Sequence, residues 1–260
     1  MDLGIAGRKA IVCASSLGLG RACALALAAE GVDVVINGRH QEDLDATQRE
    51  IEQLGKAAVT AVLADVTTPQ GREAILQACP APDILVTNCG GPPANDFRQL
   101  TRDDWNAALN ANMLSAIDLI QATVYGMMDR GFGRIVNVTS HAVKAPAAGL
   151  DLSNGARMGL TGAVAGLARS TVKHNVTINN LLPGSFNTRR ITEFYDKMAA
   201  MNPESDAEAL EAIDRAKQPS GRYGEPPEFG ATCAFLCSVP AAYINAQNIL
   251  LDGGEYPGTL

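Results

Sequence analysis

The stretch Ala10-Ile11-Val12-Cys13-Ala14-Ser15-Ser16-Leu17-Gly18-Leu19-Gly20 constrains the chain more than any other. Its first four residues form an apolar run, the pattern of a buried strand. A turn of small residues follows. Residues 21–30 then read as an alanine-rich helix stopped by Gly31. Strand, small-residue turn and helix, in that order, let backbone approach a pyrophosphate, with free N–H groups and the positive end of the helix dipole facing it. Ser15, Ser16, Gly18, Leu19 and Gly20 are therefore candidate cofactor contacts. Glycine spacing alone equally describes a plain strand-to-helix turn, so the remaining chain has to decide.

The remaining chain repeats the unit. Residues 32–36, 57–63, 83–87, 133–138, 176–181 and 248–251 read as strands, and 43–54, 68–79, 101–130, 151–173 and 228–237 as helices. Such alternation predicts an α/β fold: a doubly wound, Rossmann-type parallel sheet of about seven strands with helices on both faces. No linker or repeat divides the 260 residues, so a single domain over 1–260 is expected. A charged helical segment over about 191–217 interrupts the alternation. Ser15, Arg39, Asp65, Asn88, Ser140 and Pro183 all fall at C-terminal strand ends, where sheets of this kind bind their ligands.

Composition narrows the partners. Twenty-eight acidic residues against 21 basic ones, with no basic block, argue against nucleic acid. No apolar run is long enough for a membrane span, and Met1-Asp2-Leu3-Gly4 lacks the basic start of a signal peptide, so a cytoplasmic location is expected. The six cysteines are scattered without a CxxC and read as small core residues; Cys233 and Cys237 have no third ligand nearby, so no metal is expected. Trp105 and Tyr125 read as core or helix-packing residues.

Several motifs together resemble the short-chain dehydrogenase/reductase family over nearly the whole length. The family's Thr-Gly-x-x-x-Gly-x-Gly falls on Cys13 to Gly20, with Ala14 at the first glycine; its Asn-Ala-Gly falls on Asn88-Cys89-Gly90. Its mid-helix asparagine falls on Asn112, its active-site serine on Ser140, and its Pro-Gly on Pro183-Gly184 with Thr188 following; Asp252-Gly253-Gly254 also fits. At the family's catalytic tyrosine and lysine stand Ser153 and Arg157. In this the chain is similar to a divergent, 3-oxoacyl-carrier-protein-reductase-like branch with a Leu-Ser-Asn-x-x-Arg segment and a Gly-Gly-Pro after the fourth strand.

The resemblance implies roles. Arg39 lies one residue past the position where NAD-preferring relatives carry an acid, here Gly38. An arginine there suits a 2′-phosphate, hence NADP(H) over NAD(H), or is simply solvated. Asp65 and Val66 either contact adenine or, for Asp65, cap the next turn. Asn88 and Gly90 belong beside the ribose and the central strand, and Pro183, Gly184 and Thr188 beside the nicotinamide. Ser140 donates to a substrate carbonyl; Asn112 holds a proton-relaying water. Serine does not ionise near neutrality and arginine has no proton to give. Ser153 is therefore expected to orient the carbonyl, and Arg157 to hold the cofactor and supply fixed charge. Lys144 and His141 are minor alternatives. The segment 186–217 becomes a substrate lid, whose Arg189 and Arg190 either bind a carboxylate or phosphate or start a solvated helix. Gly155, Gly159, Gly162 and Gly166 would permit close helix contact in a homodimer or homotetramer. The expected activity is NADP(H)-dependent interconversion of a small carbonyl compound and a secondary alcohol; the alternative is a catalytically impaired NADP(H)-binding sensor or assembly partner.

Overall fold

The computed structural model describes residues 1–201 and 206–259. Seven strands, β1 (Lys9–Val12), β2 (Asp33–Gly38), β3 (Val59–Leu63), β4 (Ile84–Thr87), β5 (Gly133–Val138), β6 (Val176–Pro183) and β7 (Asn248–Leu251), form one sheet in the order β3-β2-β1-β4-β5-β6-β7. Every neighbouring pair is parallel. The chain runs outward from β1 to β3 and then returns to the other side of β1. This reversal opens a crevice between the C-terminal ends of β1 and β4.

Strand periodicity assigns side chains to the two faces. Ala10, Val12, Ile84 and Val86 join one core with Leu27 of α1 (Gly18–Ala29), Leu44 and Ile51 of α2 (Gln41–Leu54), and the last long helix, Pro226–Leu236. Ile11, Leu85, Ile135 and Ile178 join the other. Their helical partners are Ile75 of α3 (Pro69–Ala78), Leu119 and Val124 of α5 (Ser115–Arg130), and Leu160 and Val164 of α6 (Asp151–Thr171). The alanine-rich α1 lets the last helix lie against its backbone, since a Cβ on Gly230 would collide with the Ala22 carbonyl.

Local signals account for the helix starts. Thr68 accepts from the Gly71 N–H (3.0 Å) with Pro69 at the first helical position. Thr101 and Asp104 form a reciprocal capping box at the start of α4 (Arg102–Leu109). The helix expected over 101–130 runs unbroken from Arg102 to Arg130, but Asn110–Leu114 is one widened π turn between α4 and α5, with Asn112 buried in it. The segment expected as a charged helix is two helices, α7 (Arg189–Met201) and α8 (Ala207–Lys217); residues 202–205 of the expected lid lie outside the described residues. The helix Pro226–Leu236 is then α9.

Trp105 packs against Gly155, but Tyr125 is 61% exposed, on the outer face of α5. Five cysteines are buried and Cys89 half-buried, all as free thiols. No helix among the described residues is long and apolar enough to cross a membrane.

Candidate active site

Side chains from two neighbouring strands hold the turn after β1. Asn37, buried in β2, accepts from the Ala14 N–H (3.0 Å) and donates to the Ala64 carbonyl (3.1 Å). Asn88 donates to the Ala14 carbonyl (3.2 Å). The Ser15 hydroxyl, fully buried, donates to the Val12 carbonyl (2.6 Å) and accepts from the Asn37 N–H (3.1 Å). Its side chain therefore fastens the turn, and its N–H donates to the Asn37 carbonyl (2.9 Å), so neither the hydroxyl nor the amide of Ser15 is left for the cofactor contact expected of it. Leu17 is extended and supplies no side-chain cap, so the first-turn amides of Gly18, Leu19 and Gly20 are left for another acceptor. Gly20 is required by space: a Cβ would collide with the Ala14 carbonyl and lie 2.8 Å from the Asn88 amide nitrogen.

Gly38 sits against Ser16, where a Cβ would lie 2.5 Å from the hydroxyl oxygen. Arg39 follows it, exposed, with no carboxylate partner among the described residues. Asp65 accepts from the Thr67 N–H (2.9 Å) and hydroxyl (2.8 Å), the turn-capping alternative read from sequence. Val66 is buried, and its carbonyl accepts from Arg72 (3.0 Å).

Across the crevice, Arg157 is the hub. It is 7% exposed. It donates through Nη1 to the Val138 (3.0 Å) and Thr139 (2.9 Å) carbonyls, through Nη2 to the Cys89 carbonyl (3.4 Å), and through Nε to the Ser153 hydroxyl (3.2 Å). One side chain thus ties the tips of β4 and β5 to α6. Burial, and then the Arg190 charge, push its pKa down to about 10, with Cys89 opposing; the guanidinium stays charged at neutral pH. Ser153 is buried and accepts from Arg157, which leaves its own proton to donate. Ser140, half-buried, accepts from the Ala142 N–H (3.1 Å), capping the short turn His141–Val143. Asn112 donates to the Gly90 carbonyl (3.3 Å), and its Oδ1 is buried without a partner. A small cavity at these tips is lined by Cys13, Asn88, Cys89, Asn112, Val138 and Arg157.

The start of α7 closes over both sides. Thr188 faces Gly18, its methyl 3.8 Å from where a Cβ would be. Arg189 pairs with Glu193 (2.8 Å) and Asp43 of α2 (3.9 Å). Arg190 reaches Gly91 instead, where a Cβ would lie 3.1 Å from both terminal nitrogens. Gly184 donates to the Leu251 carbonyl (2.9 Å) beside Pro183, and a Cβ on it would lie 3.3 Å from Glu255 Oε2. Lys144 sits 5.8 Å from the centre of the Tyr256 ring.

Sequence reasoning did not single out Asn37, nor the ladder of buried Thr87, Asn137 and Asn180 ending on exposed Asn248, which hydrogen-bonds across β4 to β7 (2.7, 2.9 and 2.7 Å). The available signal was an asparagine recurring inside otherwise apolar strands. Glu255 had no such signal.

Comparison with known proteins covers the whole site. The family described as enoyl-(acyl carrier protein) reductase matches residues 13–255. Gluconate 5-dehydrogenase of Gluconobacter oxydans is 31% identical over 96% of this chain and 95% of its own. The 3-oxoacyl-[acyl-carrier-protein] reductase of Vibrio harveyi is 30% identical over 98% and 99%. Among solved structures, L-sorbose reductase of Gluconobacter frateurii, complexed with NADPH and L-sorbose, superimposes with a TM-score of 0.93 at 27% identity, covering 99% of this chain and 100% of that one.

Proposed function

We propose, since the chain belongs to the short-chain dehydrogenase/reductase family, that it is an NADP(H)-dependent oxidoreductase interconverting a small carbonyl compound and a secondary alcohol. The observation that carries this reading is the Arg157–Ser153 pair, buried at the strand tips, with Arg157 bonded to the carbonyl that precedes Ser140 and lining one cavity with Asn112. The relatives named above are a dehydrogenase and two reductases, one complexed with NADPH. They lend no support to the alternative of an impaired sensor or assembly partner.

The chain's own residues fit the cofactor. Uncapped amides at Gly18, Leu19 and Gly20, the Ser16 hydroxyl and the unpaired Arg39 make a cradle for phosphates, in a turn whose close packing a Cβ at Gly20 or Gly38 would break. Asp65, Val66, Asn88, Gly90, Arg157, Pro183, Gly184 and Thr188 complete the set that would hold it, within a single domain over 1–260 whose lid is 186–217. When bound, NADPH supplies the hydride. Ser140 and Ser153, standing with Arg157 where the family carries its serine, tyrosine and lysine, orient the carbonyl by hydrogen bonds. The Arg157 charge stabilises oxygen as it becomes negative. Water in the Asn112 region, facing the unpartnered Oδ1, returns the proton. Turnover is accordingly expected to be slow on ordinary ketones and better on diketones or quinones, with no tyrosine-like ionisation in the pH–rate profile. The test is NADPH oxidation against a panel of these carbonyls; no oxidation with any of them would hand the protein to the sensor reading.

A homodimer or homotetramer belongs to the same reading. Gly155 and Gly159 face inward onto Trp105 and Met113, but Gly162 and Gly166 open outward, near the apolar groove of Val124, Tyr125, Val164 and Leu167. Light scattering of the wild type and Gly162→Trp tests it: a monomeric wild type at micromolar concentration refutes it.

A further inference from the structure

The two arginines that open α7 differ in what they meet. Arg189 is neutralised by Glu193 and Asp43. Arg190 has no carboxylate partner among the described residues. Its two terminal nitrogens and Arg157 Nη2 converge on Gly91, at 3.1, 3.1 and 3.5 Å from where a Cβ would be. Arg157 itself bonds only carbonyls and the Ser153 hydroxyl, so neither cation is neutralised. The first turn of α7 holds no acidic residue, and its dipole adds positive potential at the same end. Arg190, though exposed, is the second cause of the lowered Arg157 pKa, as two like charges near each other require. Such a pair is unfavourable alone and strongly favourable around a compact anion.

We propose that Arg157 and Arg190 bind a carboxylate carried by the substrate itself, beside the Ser153 hydroxyl, so that oxo acids are preferred over neutral ketones. This rests on the reading of Ser140 and Ser153 as the hydroxyls that hold the carbonyl. Arg157 touches Ser153 on one side and approaches Gly91 beside Arg190 on the other, which places carboxylate and carbonyl within a few bonds of each other. The cofactor's pyrophosphate is the competing source of negative charge. Against it, Thr188 is the lid residue that faces Gly18 at the start of α1, whereas Arg190, two residues on, turns to the loop after β4.

The test needs no turnover. The wild type and the Arg190→Ala and Arg190→Lys variants, each saturated with NADP⁺, are titrated calorimetrically with acetoacetate and with methyl acetoacetate. The wild type is expected to prefer the acid by about tenfold, the size of one partly screened charge-assisted hydrogen bond. Added KCl should erode that preference. Arg190→Ala should abolish it with NADP⁺ affinity held within about twofold, and Arg190→Lys should retain part of it. Equal binding of acid and ester by the wild type, or no binding of the acid at millimolar concentration, overturns the proposal. A loss of NADP⁺ affinity in Arg190→Ala with the acid preference intact also overturns it and assigns the pair to the pyrophosphate. Acid binding without NADPH oxidation would remove the reductase reading and leave this site standing; oxidation without acid preference would do the reverse.

Discussion

On the β1–β2 side of the crevice the buried polar groups of the turn are answered within the chain, whereas on the β4–β6 side several are not. Asn37, Ser15 and Asn88 pair the backbone around Ala14 and Ser15 completely enough to fix the turn in advance. Opposite them, Asn112 Oδ1, Thr139 Oγ1, Asn154 Oδ1 and Glu255 Oε2 are buried with no partner among the described residues. An unanswered buried polar atom costs about 1–3 kcal/mol. In the proposed reading the first side is a cradle that a nucleotide enters ready-made, and the second keeps hydrogen-bonding capacity for water or substrate beside Arg157, which ties its strand tips to α6.

Removing that support is the strongest way to break the contrast. Arg157→Ala strips four hydrogen bonds and leaves the Val138, Thr139 and Cys89 carbonyls short of a donor. A loss of about 3–5 kcal/mol is expected, as for breaking a buried charged network, seen as a melting temperature lower by roughly 10 °C together with lost turnover. Ser153→Ala removes one hydrogen bond and should cost about 1 kcal/mol. If Arg157→Ala melted like the wild type, the arginine would be chemical only and the reaction side would stand by itself. If Ser153→Ala abolished turnover with NADPH affinity intact, Ser153 would be the central acid.

The corresponding break on the cradle side is Asn37→Ala. It leaves the Ala14 N–H and the Ala64 carbonyl without their partner in a buried position, an expected cost of about 2–3 kcal/mol. Urea unfolding should report a lower midpoint, and nucleotide affinity should fall with it. Unchanged affinity would mean that the turn is not held in advance by Asn37.

These two sides were not equally legible in the sequence. The succession of strands and helices, the helix starts at Thr68 and Thr101, and the residues at the strand tips follow from periodicity and capping chemistry, which are local. The resemblance also brought Asn112, Ser140, Ser153 and Arg157 to one place. What escaped was pairing at long range. Ser15 looked like a ligand contact until Asn37, from the next strand, was seen to take its hydroxyl. Gly155, Gly159, Gly162 and Gly166 looked like one stripe until Trp105 and Met113 were found against two of them. The difference between Arg189 and Arg190 rests first on the i,i+4 partner Glu193, which is local, and then on Asp43, which lies on another helix. The widened turn at Asn112 has no local signal beyond an asparagine in a helix interior.

A gentler probe separates cradle shape from cradle charge. Arg39 is exposed and unpaired, so Arg39→Ala should leave the fold intact. NADP affinity should drop about tenfold, the lower range for a hydrogen bond to a charged group, with NAD affinity unchanged. Equal binding of NAD and NADP by the wild type would end the assignment of Arg39 to a 2′-phosphate and leave the cradle selective by shape alone.

The smallest expected effect bears on how tightly the cradle is set. Ala14 adopts φ 44°, the left-handed region, where a Cβ is strained and glycine is not. The motif this turn resembles has glycine there. The strain is about 1–2 kcal/mol for an L residue. Ala14→Gly would remove it but give the unfolded chain more freedom, which costs about 0.4–1 kcal/mol. The net expectation is a stabilisation of about 0.5–1 kcal/mol, the difference between these two terms. Asn37 and Asn88 hold both backbone groups of residue 14, so nucleotide affinity should change by less than about threefold, under 1 kcal/mol. A destabilised Ala14→Gly protein would show that the methyl group helps hold the turn and that the strain is smaller than the dihedral implies. A stabilised protein with much weaker nucleotide binding would show that the two asparagines do not fix the turn alone, and that the rigidity of alanine is part of the cradle.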